Sequence, residues 1–320
     1  MRFQRQYPTK NQGSRTIYKC EDCLNHFSET KNTFLQNLKK PISLIWPVIK
    51  ARIEGEGVNA TARIFDISKN TLLDWETKFN ALYKVLFIYT LVHEFMKLVT
   101  EGDEVYTKVN KNVPPDQSSG WTILLIDRAS RFIWELSCGK KDRKLFMKVI
   151  KTLEKIINNT DDLSIFTDGE RRYGNILFEI CYEIIKNGKR GRPKKTLKKG
   201  VKARVKNKGS QAHKKGPKRP KYQSPWAEHP ETDQQIENKD IHANHAEAFF
   251  SAFRRKCSAF RRRTNTYAKS AIGLQRILNV YWVIHNFIRV HFTTKKVPAV
   301  ALGIIDEGLS INELFQIQMV

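Results

Sequence analysis

Three runs of β-type residues, "GDEVYTKV" (102–109), "WTILLIDRAS" (121–130) and "RFIWELSCG" (131–139), succeed one another with only short turns between them. That succession constrains the fold more than any other feature of the chain, because it commits the middle of the protein to a sheet. A helical pattern over Arg143–Ile157 follows, then a fourth strand in "LSIFTDGERRYGN" that ends at Asp168, then a helix in "ILFEICYEIIK". Three strands, helix, strand, helix is the order of an α/β domain with a mixed sheet. In such a sheet the first and fourth strands can be neighbours, which would bring Asp103 beside Asp168.

A late helical stretch, "IHANHAEAFFSAFRRKCSAFRRRTNTYAKS" (241–270), carries a third acid. At about 100° per residue, positions seven apart nearly eclipse. Glu247, Ser251, Arg254, Ser258 and Arg261 therefore share one stripe, and Phe249, Phe253, Cys257 and Phe260 make an apolar stripe roughly opposite. Behind Glu247 come Arg254, Arg255, Lys256, Arg261, Arg262 and Arg263, with no acid between Arg254 and Ser270 to pair with them. The same imbalance runs through the chain: 57 Lys and Arg against 32 Asp and Glu give a formal charge of +25. A surface so basic calls for a polyanion, and DNA is the expected partner. A membrane is disfavoured, since no apolar run reaches about 18 residues and no signal-peptide core follows Met1. Five cysteines without a secretory signal suggest thiols in a reducing cytoplasm.

The 320 residues divide into a cysteine-bearing segment (1–40), a helical module with its linker (41–98), the α/β domain (99–300) with a basic insertion at 186–240, and a tail (301–320). Cys20 and Cys23 form a CxxC that is either half of a zinc ribbon or a pair of unligated thiols; His26 is near enough to be a third ligand. In "EGVNATARIFDISKNTLLDWETKF" a short helix (Val58–Phe65), a turn and a second helix capped by Ser68 and running through Trp75 give helix-turn-helix spacing. Ile64, Ile67, Leu72 and Trp75 would pack the pair while Lys69, Asn70, Leu73 and Lys78 face a major groove; the alternative is an ordinary helical hairpin. A separate apolar helix is expected over 80–100. Between Lys186 and Lys221 lie 17 Lys or Arg and no acid, which predicts a disordered or extended loop. Inside it "KRGRPKK" (189–195) is either an AT-hook, with Arg190 and Arg192 entering the minor groove, or an unspecific basic tether.

Asp103, Asp168 and Glu247 thus stand at the ends of elements that can converge. Clustered carboxylates repel unless cations separate them, and hard oxygen donors suit two Mg²⁺ or Mn²⁺ ions able to drive an in-line phosphodiester displacement. Glu104 or Asp127 could replace Asp103, although adjacent strand residues face opposite ways, so Glu104 and Asp103 cannot both serve. His242 and His245 lack a third nitrogen or sulfur ligand and are read as substrate-facing or structural.

"GDEVY", "IFTDGERRYGN" and "HANHAEAFFSAFRRKCSAFRRRTNTYAKS" resemble the three acidic blocks of the Asp-Asp-Glu (DDE) transposases of bacterial insertion sequences, and the last block is most similar to the insertion sequence one family. The resemblance covers nearly the whole chain. It implies a zinc-binding segment and a helix-turn-helix before a ribonuclease-H-like catalytic domain, with Asp103, Asp168 and Glu247 as the triad and Asn244 as the asparagine that commonly precedes the glutamate. Many relatives carry arginine directly after the glutamate, where this chain has Ala248-Phe249-Phe250. The implied activity is cleavage at element ends and joining to target DNA by a homo-oligomer at the nucleoid. A DNA-binding regulator without catalysis is the alternative. The resemblance also implies a second cysteine pair upstream, so residues 1–40 are expected to be poorly ordered or metal-free.

Overall fold

The computed structural model describes residues 1–10, 13–186, 191, 193–207, 223–227, 229–230, 236–261 and 265–319. Strands β1 (Arg2–Thr9), β2 (Gly13–Lys19) and β3 (His26–Ser28) form an antiparallel sheet at the N-terminus. The described residues of 1–40, expected to be poorly ordered or metal-free, form this sheet and the turns after it, and Phe34 is fully buried. Helices α1 (Ile42–Ile53), α2 (Val58–Ile64) and α3 (Lys69–Thr90) come next. Ser68 caps α3 by accepting from the Thr71 amide at 3.0 Å, as its position in the sequence predicts. The helix does not stop at Trp75: no glycine or proline interrupts 69–90, so the separate helix expected over 80–100 is a continuation of α3 as far as Thr90, and its last residues belong to a strand that begins at Leu98.

Strands β4 (Leu98–Tyr106), β5 (Trp121–Asp127) and β6 (Ile133–Gly139), helix α4 (Arg143–Ile157), strand β7 (Leu163–Thr167) and helix α5 (Arg172–Ile180) follow in the order read from the sequence. A two-stranded hairpin, β8 (Tyr182–Ile185) with β9 (Lys194–Leu197), precedes β10 (Val201–Asn207) and β11 (Gln223–Ala227). The main sheet has the order β11-β10-β7-β4-β5-β6, with β4–β7 and β7–β10 parallel and the remaining pairs antiparallel.

The basic stretch thus supplies a sheet strand, contrary to the loop expected from its composition. Leu197, Val201 and Ala203 are buried, and buried Lys202 meets Asp162 Oδ1 at 2.7 Å. A segment without acids of its own can order when a distant strand supplies the apolar surface and the counter-charge.

Helix α6 (Asn244–Lys256) packs on β4 and β5, and α7 (Ala271–Phe287) runs along edge strand β6. There Asn286 and Gln275 bond the backbone of Ile133, Leu136 and Cys138, satisfying groups an edge strand leaves open. Short helices α8 (Pro298–Ala301) and α9 (Ile311–Gln316) close the chain. In the C-terminal tail Phe315 is buried and stacks on Phe34 with ring centroids 4.0 Å apart. The helices of 41–98 pack against the rest of the chain. Glu76 of α3, 1% exposed, bridges Arg52 of α1 at 2.6 Å and Arg276 of α7 at 3.2 Å, and one hydrophobic core runs from Phe34 to Phe315. Among the described residues no helix is long and apolar enough to cross a membrane.

Candidate functional site

The parallel pair β4–β7 places the first two acids. Its register runs from Leu98↔Leu163 to Gly102↔Thr167, and the next residue on each chain is Asp103 and Asp168. Both lie at the carboxyl end of the parallel pair, where open α/β sheets hold their ligands. Strand alternation then sorts the acids of β4 by face. Glu101 bonds α6, and Asp103, two residues on, shares its face.

Glu104 points the other way. It lies 3.6 Å from Lys141 in a group that includes Glu170, Arg172 and the buried Tyr173 of α5. Burial, opposed by Lys141 and reinforced by Asp103 and Glu170, pushes its pKa up to about 7. Gly102 belongs to that face too: a Cβ there would stand 3.3 Å from Tyr173 Cε1. Asp127 is spent on a turn, accepting from the Ser130 amide and hydroxyl, both at 2.7 Å.

Glu247 lies exposed on the first turn of α6, and Asn244 is the helix's exposed first residue. The helix stands on Phe249, Phe250 and Phe253, which are buried; Cys257 and Phe260, expected on the same stripe, are buried too but lie beyond the helix. It ends at Lys256, so Ser258 and Arg261 are not on the helical stripe with Glu247; residues 258–260 form a 3₁₀ turn instead. Arg254 is half-buried, and Arg255 and Arg261 are exposed. A Cβ at Gly55, in the turn after α1, would come within 2.7 Å of Arg261 Nη2, so this basic segment abuts the helical module.

The approach of α6 to β4 is fixed by a residue that sequence reading missed. Glu101, 0% exposed, accepts through Oε2 from the backbone amides of His245 (2.8 Å) and Ala246 (3.1 Å). Its Oε1 takes His245 Nδ1 at 2.7 Å and Arg128 Nε at 2.8 Å, and His242 Nδ1 stands 3.5 Å away. Burial alone would raise the Glu101 pKa; His245, the Ala246 amide and Arg128 outweigh it and hold the carboxyl below its ordinary value. Glu101, His242 and His245 form, among the described residues, a group that could hold a metal ion, with one ligand atom from each within 4.8 Å of the others. Two imidazoles and one carboxylate suit a transition metal better than Mg²⁺. The available signal was the period-2 spacing of Glu101 and Asp103, which puts a second carboxylate on the face that receives the histidines.

The remaining predicted residues are dispersed. Lys69 and Asn70 are exposed at the start of α3, and Leu73 is half-buried. Lys78 does not face outward, since its ammonium donates to the carbonyls of Phe34 and Gln36 and lies over the Phe34 ring. Ile67, Leu72 and Trp75 are buried as expected, whereas Ile64 is 63% exposed. Cys20 and Cys23 lie in the turn between β2 and β3. Hydrogen bonding from Cys23 holds the Cys20 thiol below its ordinary pKa. His26 opens β3 and is exposed. Arg190, Arg192, Arg262 and Arg263 lie outside the described residues, as does Lys189 of the AT-hook pattern. No known protein family matches the chain, and no curated protein is significantly similar to it.

Proposed function

We propose that the protein is a DNA transposase of the Asp-Asp-Glu type, which binds element ends and carries out metal-dependent strand cleavage and strand transfer. The β4–β7 register is the observation that supports this reading: it ends at Gly102↔Thr167, Asp103 and Asp168 come next on each chain, and Glu101 of β4 bonds the start of the Glu247 helix. The order β6-β5-β4-β7-β10, with only β4, β7 and β10 mutually parallel, is compatible with a ribonuclease-H-like domain.

All three donors are hard oxygens, the ligand type that Mg²⁺ or Mn²⁺ takes. Bound there, two such ions would activate the attacking oxygen and stabilise the leaving one. The chain's own part is to bind and orient DNA. Arg254 and Arg255 on the Glu247 helix, and Arg261 after it, offer phosphate contacts, and Lys69 and Asn70 present the start of α3 to a groove. The partner is double-stranded DNA, element end and target, held by a homo-oligomer.

The test is strand cleavage and joining on end-containing DNA. Asp103→Asn, Asp168→Asn and Glu247→Gln should each lower Mg²⁺-dependent cleavage by about 10³-fold or more while changing end binding less than about twofold. Near-normal cleavage by any one variant removes that residue from the assignment. A wild-type protein that binds ends tightly yet never cuts would instead be a DNA-binding regulator.

A further inference from the structure

We propose that Glu101 is a positioning residue whose carboxylate caps helix α6 from strand β4 and, with Arg128 as its neutralising cation, sets where Glu247 stands relative to Asp103. The catalytic consequence rests on the transposase reading; the cap does not. Helix α6 has no cap of its own. Ala243 precedes it without a side-chain bond, whereas α3, α4, α7 and α9 are capped by Ser68, Asp142, Ser270 and Ser310. The orphan amides at its second and third positions go to Glu101, 144 residues earlier in the chain than His245. A buried carboxylate at the positive end of a helix is favoured by both the hydrogen bonds and the dipole.

Arg128 completes the arrangement. Besides Glu101 it donates to the carbonyls of Asp240 (2.7 Å) and His242 (2.8 Å), tying the segment that leads into α6 to the same carboxylate. Glu101 lies two residues from Asp103, and Ala246 one from Glu247, so few rotatable bonds separate the clasp from the two acids it aligns.

The same contacts argue against a metal at this cluster. Ligands about 2.0–2.2 Å from one zinc stand roughly 3.3 Å apart around a tetrahedron. Glu101 Oε1 and His245 Nδ1 are 2.7 Å apart, a hydrogen bond, and the Arg128 guanidinium already supplies the positive charge.

The experiment compares wild-type, Glu101→Gln and Glu101→Ala full-length protein by amide hydrogen exchange, Mg²⁺-titrated strand cleavage and Zn²⁺ calorimetry. In Glu101→Ala, exchange at His245 and Ala246 should rise about tenfold or more while Gly273, capped by Ser270, is unchanged. The Mg²⁺ needed for half-maximal cleavage should rise, and the maximal rate should fall by about tenfold or more, with end binding altered less than about twofold. Glu101→Gln, which keeps an acceptor but loses the charge, should fall between the two. If Glu101→Ala does not fold, a rise in exchange at the same two amides in Glu101→Gln supports the cap and its absence refutes it. Wild-type exchange at His245 and Ala246 in the variants overturns the proposal. So does stoichiometric Zn²⁺ binding that is lost in the His242→Ala, His245→Ala double variant. A wild-type protein without cleavage would sink the transposase reading but leave the exchange result to decide the clasp.

Discussion

Asp103 and Glu104 are adjacent and chemically near-identical, yet the alternation of β4 sends them to different surroundings. Glu104 enters a buried group with Lys141, Glu170 and Tyr173, while Asp103 shares the α6 face with Glu101. His285 of α7 is another group defined by its surroundings. Its Nε2 lies 2.9 Å from the Arg131 carbonyl, which can only accept, so the neutral ring donates there and holds the turn after β5. Burial, with the nearby charges of Arg289 and Lys256, pushes its pKa down to about 3. The unfolded imidazole takes a proton below about 6.5, whereas the folded one resists until about 3. This contribution is therefore complete above pH 6.5 and is lost as pH falls. Urea unfolding should show stability declining between pH 6.5 and 5 by up to about 1.4 kcal/mol per pH unit from this residue, a slope that His285→Gln should flatten. An unchanged slope in that variant would assign the acid sensitivity to other groups.

Helix α7 covers the edge of β6 not with backbone but with two amide side chains. Asn286, fully buried, accepts from the Ile133 amide and donates to the Ile133 carbonyl, both at 2.9 Å, so one side chain does the work of a neighbouring strand. Asn286→Leu preserves apolar volume but strands both groups. It should cost roughly 2–4 kcal/mol in urea unfolding, whereas Ile272→Ala on the same helix, at an 81% exposed position, should stay within about 0.5 kcal/mol. A loss under about 1 kcal/mol for Asn286→Leu would mean that the edge finds other partners. Helix α3 teaches the complementary lesson. Its start was legible because Ser68 caps locally, but its length was not, because the buried face from Leu72 to Phe87 takes its continuity from packing on α7.

One hydrophobic core joins the described elements from Phe34 to Phe315, and the basic insertion contributes to it. Excising residues 186–221 removes β9 and β10 along with the charges, including buried Leu197, Val201 and Ala203. That deletion should abolish cooperative unfolding in circular dichroism. Arg190→Ala with Arg192→Ala should leave the transition in place and lower affinity for DNA, more on A·T-rich than on G·C-rich duplexes if the hook pattern operates. A deletion variant that unfolds like wild type would show that β10 is dispensable to the sheet.

What could be read along the chain was whatever depends on near neighbours: the order of strands and helices from β4 to α5, the Ser68 cap, the burial of Phe249 and Phe253 on α6, and Asp168 just past the end of a strand. Periodicity and capping act over a few residues, so composition and spacing report them. The Glu101 clasp joins residues 144 apart, β10 borrows its counter-charge from Asp162, and Phe315 completes its packing on Phe34. None of these leaves a local trace, because the stabilising partner of each lies on an element that only folding brings near.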